Sequence, residues 1–142
     1  DTKRTDIELS PDILVQSEET PRSDRHHSIL IAEDVYENYF LLETLFGKQY
    51  QLYHALNGQE AIDMFETYHP DLILMDIKMP VMDGFEATRR IRTLSKTIPI
   101  IALTAFAFER EKEIAKQCEF TDYVVKPIDI KELKKLIAKV LA

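Results

Sequence analysis

Leu72-Ile73-Leu74-Met75-Asp76-Ile77-Lys78-Met79-Pro80-Val81-Met82-Asp83-Gly84 is the stretch from which the fold is read. The apolar run from Leu72 to Met75 has no polar alternation, so a strand built from it must be covered on both faces. A parallel sheet meets that condition, because its crossover helices lie on either side. The run stops on the carboxylate of Asp76, and Pro80 and Gly84 then punctuate a turn. Asp83 followed by Glu86 has the spacing of a helix start, although the strict capping box wants Ser or Thr at the cap.

The same alternation extends in both directions. Ile29 to Ala32 is a second short apolar run, after which Val35, Tyr39, Leu42 and Phe46 recur at helical spacing. Tyr50 to Leu56 alternates apolar with polar, which suits a strand with a more exposed face. Ala61, Met64, Phe65 and Tyr68 mark a second helix, and Phe85 to Ser95 a third. Pro99 to Leu103 reads as a strand, Phe106 to Cys118 as a helix with a weaker stripe, and Tyr123 to Val125 as a short strand. Ile130, Leu133, Leu136, Ile137, Val140 and Leu141 make the clearest amphipathic helix. Asp34 with Glu37, Asn57 with Glu60, and Asp129 with Glu132 repeat the capping spacing of Asp83 and Glu86. Five strands alternating with five helices predict an α/β fold, a parallel sheet inside a three-layer α/β/α sandwich.

The 142 residues suit one compact domain with a core that needs no disulfide. Residues 1–27 differ from the rest: Pro11, Pro21, Ser, Thr and mixed charge predict a linker or tail, with residues 28–142 as the domain. The alternative for that tail is docking on a partner domain through Ile7, Leu9 and Ile13 to Val15. The first residue is Asp1 rather than Met, as expected of a piece of a longer protein. No apolar run approaches the roughly 18 residues of a membrane span, and no basic-then-apolar leader is seen. The single cysteine, Cys118, excludes an internal disulfide and fits a reducing compartment, so the expected location is cytoplasmic. A net charge of −7 disfavours direct nucleic-acid binding, and no membrane contact is expected.

The unusual residues fall at strand ends. Glu33 and Asp34 follow the first strand, Asp76 ends the third, Thr104 the fourth and Lys126 the fifth. In an open parallel sheet, ligands bind beyond the carboxyl ends of the strands, so three acids, a hydroxyl and an ammonium converge on one edge. Clustered carboxylates repel one another unless a cation intervenes, and a hard divalent ion with oxygen ligands relieves that repulsion. Mg²⁺ suits best, since it takes one or two carboxylates, keeps waters and accepts a phosphoryl oxygen. Lysine and threonine then suit an anion arriving beside the metal. Taken singly, each residue has a plainer reading as a cap, a turn or a solvated lysine; their joint placement is what argues for a site.

Ile31-Ala32-Glu33-Asp34, Asp76 to Gly84, Leu103-Thr104-Ala105 and Tyr123-Val124-Val125-Lys126-Pro127 together resemble response-regulator receiver domains, over about residues 28–142. The resemblance implies a flavodoxin-like strand order 2-1-3-4-5. It implies that Asp76 takes a phosphoryl group from a phosphohistidine on a histidine kinase or histidine phosphotransfer protein, in cis or in trans. Asp34 and Asp76 would ligate Mg²⁺ directly with the backbone carbonyl of Lys78, and Glu33 through water. Lys126 would pair with a phosphoryl oxygen, ahead of a cis bond to Pro127. Thr104 would bond the phosphoryl group and Tyr123 would rotate inward with it, as the switch pair. The domain would thus catalyse its own phosphorylation and dephosphorylation. The wording of Asp76 to Gly84 is most like receivers of hybrid sensor histidine kinases, with a stand-alone receiver as the other arrangement; a homodimer stays open.

Glu119-Phe120-Thr121 departs from relatives that carry glycine at its first position, so a differently shaped turn is expected. Lys78 and Phe106, two residues after Asp76 and Thr104, occupy positions that in relatives influence phosphoryl loss, and Phe106 is expected to shield the site from water. Rival readings fit less well. A haloacid-dehalogenase-type phosphatase wants a second Asp where Lys78 stands, and Glu33 with Asp34 would repel the phosphate of a flavin mononucleotide. An interaction module that keeps the fold without phosphorylation is the remaining alternative. Cys118 is expected to pack at a helix end, His54 to lie on the more exposed strand, and His69 to precede Pro70 at a helix end. Metal binding by His26 and His27 is not expected, and Tyr36, Tyr39 and Phe40 read as helix packing.

Overall fold

The computed structural model describes residues 27–105 and 108–142; the expected linker, apart from His27, and Phe106 lie outside the described residues. Strands and helices alternate as β1 (Ser28–Ala32), α1 (Tyr36–Phe46), β2 (Gln51–Ala55), α2 (Gly58–Tyr68), β3 (Leu72–Asp76), α3 (Gly84–Leu94), β4 (Ile100–Thr104), α4 (Glu109–Gln117), β5 (Asp122–Val125) and α5 (Ile130–Leu141). All strand pairs are parallel, in the order β2-β1-β3-β4-β5. The three-layer, flavodoxin-like sandwich is therefore present.

Every residue of β3 and β4 is buried, whereas β2 and β5 are only partly so, because they form the sheet's edges. Alternate side chains feed two cores. Leu30, Ile73, Met75 and Ile100 pack with Ala61, Phe65, Ala87 and Ile91 of α2 and α3. Ile29, Ile31, Leu72, Leu74, Ile101 and Leu103 pack with Leu42, Phe46, Leu133 and Ile137 of α1 and α5. Each large aliphatic side chain so buried contributes about 1.5–3 kcal/mol. Among the described residues no helix is long and apolar enough to cross a membrane.

Register brings the strand ends level. Ala32 pairs with Met75, Asp76 with Leu103 and Thr104 with Val125, so the residues ending β1, β3, β4 and β5 open onto one edge. The β3–α3 loop then folds back tightly: the Gly84 N–H donates to the Ile77 carbonyl at 2.8 Å. A Cβ at Gly84 would collide with the Asp76 carbonyl oxygen, so close backbone approach demands glycine there.

Three of the four expected caps form: Asn57, Asp83 and Asp129 accept from the amides of Glu60, Glu86 and Glu132 at 2.8, 2.9 and 3.2 Å. Asp34 does not cap α1. Val35 is the N-cap residue without a side-chain bond, and Glu33 instead accepts from the Val35 amide at 3.2 Å. Packing also departs from expectation at α1. Tyr39 is buried, but Tyr36 and Phe40 are 61% and 52% exposed, off the stripe formed by Tyr39, Leu42 and Phe46, and lean on each other at 6.0 Å. The fourth helix starts at Glu109 rather than Phe106 and buries only Ala115, with Cys118 packed beneath its C-terminus as expected.

The turn at Glu119 explains itself through Arg92. Glu119 sits in the left-handed region with φ 66°. Buried Arg92 holds the turn, donating from Nε to the Glu119 carbonyl at 2.9 Å and from Nη1 to the carbonyls of Ile98 and Ser95 at 2.7 and 3.2 Å. A non-glycine residue in this conformation costs about 1 kcal/mol. The exposed Lys96–Glu119 pair at 3.8 Å returns little of it. Glu119→Gly should therefore raise the melting temperature by about 3 °C. A thermal melt that shows a lower value would mean the turn carries no such strain.

Candidate functional site

The residues expected from the sequence do meet. Glu33, Asp34, Asp76, Lys78, Thr104 and Lys126 line one open cleft of about 660 Å³ at the carboxyl edge of the sheet. Tyr123 does not line it; it stands behind, on a much smaller cavity of about 10 Å³ that it shares with Thr104.

Glu33 and Asp76 are buried, at 1% and 6% exposure, and Thr104 is buried at the end of β4. Asp34 is exposed at the cleft mouth. One ligand oxygen from each of Glu33, Asp34 and Asp76 lies within 4.8 Å of the others. Lys126, half-buried, lies between the two buried acids, with Nζ donating to Glu33 Oε1 and to Asp76 Oδ2, both at 3.3 Å. The other Asp76 oxygen accepts from the Lys78 amide at 3.3 Å. The Lys126–Pro127 peptide is cis, as the resemblance implied.

The balance of charge is visible in Asp76. Burial and then the Glu33 carboxylate push its acid up to about 6, against the opposing pull of Lys126. One ammonium does not neutralise this group of acids. A divalent cation would, and three carboxylate oxygens in this arrangement fit a hard, oxygen-seeking ion such as Mg²⁺.

The loop between β3 and α3 is under local strain. Val81 has φ 68° at the centre of a tight turn closed by the Met82 amide on the Pro80 carbonyl at 2.7 Å. Left-handed backbone is unusual for a β-branched residue, and such turns recur at binding sites. The loop is tied down by the Gly58 amide, which donates to the Met82 carbonyl at 2.9 Å.

Sequence reasoning missed some of the cleft's lining. Asn38, one turn into α1, donates to Glu33 Oε2 at 3.4 Å. Phe85, Phe108 and Glu111 also line the cleft. Their signals were ambiguous, since aromatic and acidic residues on helices ordinarily read as packing or solvated faces.

The sequence profile of the response regulator receiver domain matches residues 29–138. The chain is 38% identical over 114 residues to the regulatory protein AtoC of Escherichia coli strain K12, an alignment covering 80% of this chain and 25% of AtoC. It thus spans about a quarter of that relative's length. Among solved structures it is similar to the receiver domain of sensor histidine kinase PA1611 from Pseudomonas aeruginosa PAO1, which has a magnesium ion coordinated in its active-site cleft. That match has 34% identity and a TM-score of 0.76, and covers 82% of this chain and 98% of that one. It is also similar to the receiver domain of the Saccharomyces cerevisiae response regulator Ssk1, crystallised with the histidine phosphotransfer protein Ypd1. Here identity is 30% and the TM-score 0.75, covering 81% of this chain and 88% of that one.

The raised pKa of Asp76 has a measurable consequence. In the unfolded chain this acid ionises near 3.8, in the folded protein near 6. Between those values the folded state binds more protons, so stability falls as pH rises through the window, and above it ionised Asp76 is a net penalty. In chelated, metal-free buffer, Asp76→Asn should melt higher than wild type at about pH 7.5, by an equivalent of about 3 kcal/mol, and the gap should close toward about pH 4. A gap that does not change with pH would mean that burial and the Glu33 carboxylate do not raise the pKa of Asp76.

Proposed function

The chain belongs to the response regulator receiver domain family, and from that premise we propose that Asp76 is its phosphoacceptor. The observation that carries this reading is the position of Asp76: a buried carboxylate at the end of a central strand, held by one lysine beside two further acids. An oxygen of Asp76 attacks the phosphorus of a phosphohistidine on a histidine kinase or histidine phosphotransfer protein. The new O–P bond replaces the N–P bond, and the released imidazole takes up a proton. Asp34 and Asp76, with the Lys78 carbonyl and with Glu33 through water, would hold Mg²⁺, which would supply positive charge against the phosphoryl oxygens.

This chain's own residues do the rest. Lys126 already neutralises part of the charge on Glu33 and Asp76, and its ammonium is within reach of a phosphoryl oxygen added to Asp76. Thr104 lines the same cleft. Because the transition state of phosphoryl transfer is loose, positioning and charge neutralisation are the larger part of the catalysis.

The proposed switch runs from Thr104 to Tyr123 across the cavity they share. Thr104 moves toward the phosphoryl group and the Tyr123 ring moves into the space it leaves. Lys112 of α4, which also lines that cavity, lies 5.8 Å from the centre of the Tyr123 ring, so a change at Tyr123 is felt on the α4–β5 surface. The hybrid-kinase arrangement, with residues 1–27 as a linker, is the parent architecture we favour, in the cytoplasm. Its support is the wording of Asp76 to Gly84 and the likeness to a receiver taken from a sensor histidine kinase.

Incubation with acetyl phosphate should add one phosphoryl group to the intact mass of the wild type only when Mg²⁺ is present, and none to Asp76→Asn. Thr104→Ala should still be phosphorylated but should lose the accompanying change in Tyr123 environment, read by NMR. Equal labelling of wild type and Asp76→Asn would reject Asp76 as acceptor. No labelling of either, from acetyl phosphate or from a phosphohistidine partner, would favour an interaction module without phosphorylation.

A further inference from the structure

Glu33 is 1% exposed, so both of its backbone polar groups need partners inside the fold. Its N–H is satisfied by the Ala55 carbonyl at 3.0 Å, the last rung between the β1 and β2 chains. The ladder stops there, because the chain beyond Ala55 turns into Asn57, the cap of α2. The Glu33 carbonyl is met instead by a side chain: His54 Nε2 lies 2.7 Å from it. A carbonyl only accepts, so this ring nitrogen is the donor.

The imidazole is itself held. It lies flat on the Tyr39 ring, with centroids 3.7 Å apart and planes within 1°. Tyr39 is 7% exposed and packs among Leu42, Phe46 and Ile31, so the ring under His54 belongs to the α1 face of the core. The bonded carbonyl belongs to the peptide that joins Glu33 to Asp34. The plane of that peptide sets the direction in which the chain leaves β1, and with it how both acids stand toward Asp76.

We infer that His54, stacked on Tyr39, is a positioning residue for the divalent-cation site, holding the Glu33–Asp34 peptide in the orientation that brings its two carboxylates to Asp76. The inference rests on the reading of this cleft as a Mg²⁺ site. It assigns a role to a residue that touches neither the cation nor the phosphoryl group. Partners of this kind, one step removed from the ligands, typically change metal affinity about 10-fold or more when lost.

The test is calorimetric titration of the full chain with MgCl₂, with thermal melts of each variant. His54→Phe keeps a flat ring for Tyr39 and removes the donor; its Kd for Mg²⁺ should rise about 10-fold. His54→Gln can restore an N–H donor at this position and should return the Kd to within about 3-fold of wild type. Should His54→Phe not fold, Tyr39→Leu removes the platform while leaving the donor, and should weaken Mg²⁺ by a smaller but measurable factor. An unchanged Kd in a folded His54→Phe, or in Tyr39→Leu where that variant replaces it, overturns the inference. So does a Gln variant as weak as the Phe variant, which would reduce His54 to packing. In each of those cases the Mg²⁺ site itself stands. Absence of saturable Mg²⁺ binding by the wild type would overturn the metal reading, and this inference with it.

Discussion

Lys126 Nζ, 3.3 Å from Glu33 Oε1 and 3.3 Å from Asp76 Oδ2, is the contact around which the carboxyl edge of this protein is organised. It joins residues far apart in sequence at the ends of β1, β3 and β5, and only a parallel sheet in this order delivers those ends to one place. The pair is also incomplete. One ammonium faces two buried carboxylates, with a third acid at the mouth, and burial together with the Glu33 carboxylate raises the pKa of Asp76 despite that ammonium. Filling the deficit with apolar residues would favour folding. What the arrangement provides instead is a site that gains when positive charge enters.

Other features of the same edge carry a cost in stability. Val81 holds a left-handed conformation that suits a β-branched residue poorly, and it is 82% exposed, so no burial compensates it. Gly84 gives up a side chain so that the loop can fold against Asp76. These costs are local, whereas the compensation is spread over the two cores on either face of the sheet. Such a division is expected when one end of a fold is shaped for chemistry and the rest for stability.

How much was legible in the sequence follows from the range of the interactions involved. The buried run from Leu72 to Met75 and the helical spacing of Leu133, Leu136 and Ile137 are local signals, and they suffice for the layers of the fold. Strand order and the individual roles of Asp76, Thr104, Lys126 and Tyr123 rested on resemblance, because nothing local says which strand ends are neighbours. Choices between near-equal partners were not legible. Glu33 rather than Asp34 meets the start of α1, because Asp34 is turned to the cleft mouth. The Arg92 clamp on Glu119 and the Tyr39–His54 stack join elements that no window of sequence brings together. Exposure of Tyr36 and Phe40 depends on where α1 settles on the sheet, which apolar content alone does not state.

The dimensions of the space behind Thr104 bear on how tightly the proposed switch is coupled. Ile77, Phe85, Ala102, Thr104, Glu111, Lys112, Ala115 and Tyr123 line a cavity of only about 10 Å³. That is about the room needed for one water, far short of an aromatic ring. Tyr123 thus has little room to turn inward while Thr104 and its neighbours keep their places. Close-packed interiors respond to such a demand by changing between discrete arrangements rather than by gradual deformation. In the proposed switch, a movement of Thr104 toward the cleft supplies that room. The tight packing around Tyr123 thus favours a switch in which its movement waits on that of Thr104.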